Sequence, residues 1–171
     1  MPYFIAVVIL VAVDQIVKAL VRTYIPLGES VPFIPHILEL TYVQNTGAAF
    51  SSMQGQTILL GIFSAAVSAV LIVVLARHFV KHPVGRWIIT VVLTGALGNM
   101  IDRLFMGYVT DMFQTVFMEF AVFNVADTYV VLGIIALVIY VLFFWDRLEG
   151  GKGKTRKEEK QDDPEDMEEE P

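Results

Sequence analysis

Four long apolar runs, separated by short polar segments, set the pattern of this chain: Pro2 to Val21, Ile58 to Ala76, Trp87 to Phe105, and about Val125 to Trp145. About 20 mostly apolar residues in a helix cross the ~30 Å hydrocarbon core of a bilayer, so each run predicts a transmembrane helix. Between the first two runs, the stretch 23–52 has turn-forming Pro and Gly followed by alternation, with Leu38, Leu40 and Tyr42 on one face and Glu39, Thr41 and Val43 on the other. That alternation predicts a strand within a small sheet at the membrane surface. The expected fold is therefore a mainly α membrane protein, with four transmembrane helices and a small extracytoplasmic β-sheet. One domain is expected over 1–147, followed by a tail at 148–171 with little apolar material to bury, which predicts disorder.

Polar interruptions carry the information in such a chain. The second run has no charged residue, whereas the others hold Asp14, Lys18, Asp102, Arg103 and Asp127. An ionisable group in a span is costly and marks a partner or a wet cavity. Lys and Arg are absent from 23–57 and from 104–126, but three occur in "RHFVKHPVGR" and more follow Arg147. The positive-inside rule then places both termini in the cytoplasm, and Asp111 with the start of the fourth span at the outer face.

Composition agrees with membrane residence: 56% of the residues are hydrophobic and only 18% charged, with a mean hydropathy of +0.63. The net charge of -6 arises mostly in the tail, which holds ten of the 18 acidic residues and five of the 12 basic ones and leaves a body of eight acidic and seven basic groups. There is no cysteine, hence no disulfide, thiolate metal site or Cys nucleophile. The N-terminal run lacks a basic leader and a small-residue cleavage site, and reads as a retained first span.

Four groups of residues are candidates for chemistry. Asp14 and Lys18 share a helix face and can form a structural ion pair. In "GALGNMIDR", the glycines allow close helix approach, and Asn99, Asp102 and Arg103 form either a structural network or a substrate contact. Asn45 in "QNTGAAF" suits a turn, or hydrogen bonding to an extended peptide. Asp111 and Asp127 could each be a helix cap or an interfacial charge, but a loop that brought them together would create a pair unable to ionise twice. Such a pair polarises a carbonyl and activates water without metal or covalent intermediate. Asn124, three residues before Asp127, is placed to join the site or to start a helix. No HExxH or GxSxG pattern supports a rival hydrolytic chemistry.

Taken in order, "DQIVK", "QNTGAAFS", "GNMIDR", "GYVTDMF" and "FNVADTYVVLG" strongly resemble the type II lipoprotein signal peptidases of bacteria, over roughly Val13 to Arg147. The resemblance implies an intramembrane aspartic endopeptidase with Asp111 and Asp127 as its catalytic pair. It implies substrate contacts from Asn45, Arg103 and Asn124, and support from Asp14, Lys18, Asn99 and Asp102. It also implies cleavage of diacylglyceryl-modified prolipoproteins just before the lipidated Cys, in the cell membrane, with no cofactor and no metal. The expected partners are that lipidated precursor and membrane lipid, not nucleic acid, and a monomer is expected. The sequence leaves open which Asp holds the proton. The alternative is a small polytopic transporter or channel that uses its intramembrane Asp residues as an ion path.

Overall fold

A computed structural model describes residues 1–47 and 53–148. The end of the expected β region at 48–52 and the acidic tail from 149 lie outside the described residues. Four helices are long and apolar enough to cross a membrane: α1 (Pro2–Tyr24), α2 (Thr57–Ala76), α3 (Pro83–Phe105) and α4 (Val125–Phe143). Three strands, β1 (Ser30–Ile34), β2 (Leu38–Asn45) and β3 (Val109–Thr115), form one antiparallel sheet in that order, and a single turn, α5 (Trp145–Leu148), follows α4. The mainly α architecture with a small sheet is thus the expected one.

Local chemistry sets the helix ends. Pro2 opens α1, where its missing N–H would have no partner in any case, and Ile25 turns extended at φ -114° and ψ 121° ahead of Pro26. α3 begins four residues before the apolar run at Trp87, because His82 caps it, accepting from Val84 N–H at 3.3 Å, and Pro83 occupies the first turn. Asn124 caps α4 in a capping box with Asp127.

α3 is the central helix, packed against α1, α2 and α4, and it buries the largest share of its residues. Close packing requires its glycines. A Cβ on Gly95 would collide with the Ala126 carbonyl and lie 2.6 Å from Val130 Cγ2, while one on Gly98 would lie 2.7 Å from Asp14 Oδ2. The outward sides of the other helices expose Phe4, Ile9, Ile62, Phe63, Leu132 and Leu142, as a lipid-facing surface requires.

At the sheet end, Val21 of α1 and Ile25 just beyond it pack on Tyr42 and Met112. The expected alternation is not seen in β2, where Leu38, Glu39 and Leu40 are all half-buried, and a bulge between Leu40 and Val43 interrupts the register with β3. Thr41 and Tyr42 are consequently both buried. Beyond the bulge, Val43 stands opposite Asp111 and Asn45 opposite Val109.

Candidate active site

Lys18 is completely buried, and its ammonium meets three acceptors: Asp14 Oδ2 at 3.0 Å and Asp102 Oδ2 at 3.1 Å, and Asn99 Oδ1 at 3.0 Å. An ammonium has three N–H donors and no acceptor, so its capacity is filled. Asp14 Oδ1 takes the Ala126 N–H at 2.9 Å in the first turn of α4, and Asp102 Oδ2 takes the Thr110 N–H at 3.1 Å in β3. Arg22 Nη1 donates to Thr110 Oγ1 at 2.9 Å. One polar cluster therefore fastens α1, α3, α4 and β3 together at the same end of the bundle. Buried charge is tolerable here because each member has partners.

Asn99 connects this cluster to Asp127. Lysine can only donate, so Asn99 must offer Lys18 its carbonyl, and its Nδ2 then donates to Asp127 Oδ1 at 2.7 Å. The other oxygen of Asp127 accepts the Asn124 N–H at 3.2 Å. Asn124 is held in turn: its Oδ1 accepts the Asp127 N–H at 2.9 Å, which aims its Nδ2 at Asp111 Oδ1, 2.6 Å away. Asn45 matches it on the far side, with Oδ1 accepting Gly47 N–H and Nδ2 donating to Asp111 Oδ2, each at 2.9 Å. Asn124 thus bridges the two carboxyl groups.

Both acids line a cavity of about 390 Å³ with Asn45, Arg103, Val109 and Thr128, and its remaining wall is apolar. Asp111 is only 2% exposed. Burial pushes its carboxyl up to about 6, the nearby charge of Asp127 pushes in the same direction, and the Asn45 and Asn124 amides pull back. Arg103 Nη2 lies 3.5 Å from the Gly47 carbonyl, and its buried Nε has no hydrogen-bond partner among the described residues. No group of three or more potential metal ligands occurs among the described residues.

The sequence candidates fall into two connected sets. Asp14, Lys18, Asn99 and Asp102 form the buried cluster, and Asn45, Asn124, Asp111 and Asp127 form the carboxyl site, with Arg103 on the cavity wall. Asn124 is fully buried and sits between the acids rather than on that wall. Asp111 lies within β3. Val109 and Asp111 face the cavity, Met112 faces the core, and Thr110 meets Arg22. Sequence reasoning passed over Gln15, whose Nε2 reaches Asp14 Oδ2 at 3.1 Å, Gly98 O at 3.1 Å and Asp102 Oδ1 at 3.0 Å. Its signal was an amide inside an apolar run, next to Asp14.

Residues 6–143 match the family model for signal peptidase (SPase) II. The chain belongs to the signal peptidase II family. Among its relatives, the lipoprotein signal peptidase of Enterococcus faecalis is 42% identical over 156 residues, which is 90% of this chain and 95% of that protein. The Streptococcus pneumoniae lipoprotein signal peptidase is also 42% identical, over 139 residues, 80% of this chain and 89% of the relative. A solved bacterial membrane enzyme superposes with a TM-score of 0.75 at 30% identity, covering 90% of this chain and 93% of its own. Signal peptidase II membership and the four apolar helices together make this chain a multi-pass membrane peptidase.

Proposed function

We propose that the chain is an aspartic endopeptidase that removes the signal peptide from diacylglyceryl-modified prolipoproteins, cutting just before the lipidated Cys. The observation that carries this reading is the Asn124 bridge, which holds Asp111 and Asp127 on one cavity wall. Asp127 receives the Lys18-oriented amide of Asn99 and serves as the base. Asp111 is assigned the acid of the pair, which carries the single proton the two carboxyl groups share. A water between them gives a proton to Asp127 as its oxygen bonds the scissile carbonyl carbon, and Asp111 protonates the carbonyl oxygen. The tetrahedral diol then collapses: the C–N bond breaks, Asp127 returns its proton to the leaving nitrogen, and Asp111 regains one from a hydroxyl. Arg103 Nε, without a partner among the described residues, and the Asn45 amide offer donors to the peptide.

A lipid-anchored substrate presents its scissile bond at the membrane surface, and the cavity meets that need. Its lining joins sheet residues Asn45, Val109 and Asp111 to Val131 and Leu132 of α4. The Lys and Arg distribution supports cytoplasmic termini and an outward-facing site. Asp14, Lys18, Gln15 and Asp102 brace the site.

The test replaces Asp111 and Asp127 separately with asparagine and measures signal-peptide release from a lipid-modified precursor. Each variant is expected to lose about a thousandfold or more, since members of a catalytic unit fail together. Near-normal turnover by either variant, folded in detergent, overturns the proposal.

A further inference from the structure

The segment joining β3 to α4 runs along the cavity, and Phe120, Ala121, Val122 and Phe123 all line it beside the two acids. Phe123 is bound to β3 through both main-chain groups: its N–H donates to the Phe113 carbonyl at 3.2 Å, and its carbonyl accepts from Phe113 and Met112 N–H at 2.8 and 3.0 Å. Along an extended chain, successive residues turn their N–H and C=O groups to opposite edges. With Phe123 facing β3, Val122 faces the other way. Among the described residues, the main-chain N–H and C=O of Val122 have no hydrogen-bond partner, although the residue is half-buried in a largely apolar wall. A donor and an acceptor left open in such a place call for a partner with the complementary pair.

An extended peptide is that partner. We propose that the Val122 main chain is the docking point for the substrate, pairing through N–H and C=O with one residue near the scissile bond and seating the peptide as a short added strand. The inference rests on the peptidase reading above. It adds a substrate-binding residue whose side chain is not the recognising group. Main-chain pairing supplies affinity whatever the substrate side chain, while fixing which peptide bond lies across Asp111 and Asp127.

The experiment uses the full-length chain in detergent and a diacylglyceryl-modified precursor peptide. A series of analogues carries a single amide-to-ester replacement, one position at a time, around the cleaved bond. Loss of one hydrogen bond is expected to raise KM by about tenfold at the position paired with Val122, with kcat little changed and the adjacent positions unaffected. Val122→Pro, which removes the N–H, is expected to raise KM similarly, and the two losses combined are expected to fall short of additive. If Val122→Pro fails to fold, the analogue series on the unaltered chain decides alone. A series with uniform KM, cleaved by a chain that Asp111→Asn inactivates, overturns the docking proposal and leaves the peptidase reading standing. Failure to cleave even the parent precursor overturns both.

Discussion

Replacing Asp111 with asparagine isolates the energetic cost of keeping a carboxyl group in the site. Its pKa rises from 3.8 to about 6 on folding. At ~1.4 kcal/mol per unit, that difference is worth about 3 kcal/mol. The sign follows from the direction. A raised folded value means that the folded chain binds this proton more tightly, so the stabilising contribution is complete below pH 3.8 and is lost as pH rises through about 6. Asparagine does not titrate, and the window disappears. It does bring a constant penalty, since its amino group must face Nδ2 of Asn45 or Asn124, both locked by Gly47 and Asp127 N–H. An opposed donor pair costs about 1–3 kcal/mol at every pH. The diagnostic is therefore the pH dependence: relative to the parent, Asp111→Asn should gain roughly 2 kcal/mol between pH 4 and pH 7, most of the full difference. Denaturant unfolding in micelles, followed by the fluorescence of Trp87 and Trp145, measures it. Stability curves for the two proteins that run parallel across that range refute the argument.

Three further outcomes follow from the geometry. Lys18→Met strands Asp14 and Asp102 without their shared cation, and should lower stability by about 3–5 kcal/mol in the same unfolding assay; Asp102→Asn added to it should recover part of the loss. Gly95→Ala forces α3 away from Ala126 and Val130, which should cost about 1–3 kcal/mol and reduce precursor cleavage by displacing the neighbouring Asp127. Because the described residues hold no cluster of metal ligands, EDTA should leave cleavage intact, and a loss restored by zinc would contradict the mechanism.

The helical part of the fold was legible because lipid imposes one rule on every spanning segment, and long apolar runs obey it. Asp14 and Lys18 were readable as a pair for the same reason, since their spacing allows little else in an apolar helix. β3 was not legible. Its two faces meet different buried surroundings, so "VTDMFQT" shows neither simple alternation nor an apolar run. Long-range geometry was also hidden: Asn99 and Asp127 are distant in sequence, and only their folded placement makes a bridge from Lys18. The bulge in β2 escaped too, because its cause lies in the register with β3 rather than in β2 itself. Gln15 carries no charge, so its amide stands out less in an apolar run than Asp14 and Lys18 do.

The capping box at Asn124 ties two properties together. Asp127 is at once the residue that closes the first turn of α4 and half of the acid pair. Inserting or deleting a single residue there would rotate one of these roles by about 100° away from the other. The opening of this helix is therefore fixed in phase as well as in composition, and fraying of that one turn would silence the chain while the rest of the bundle stayed intact.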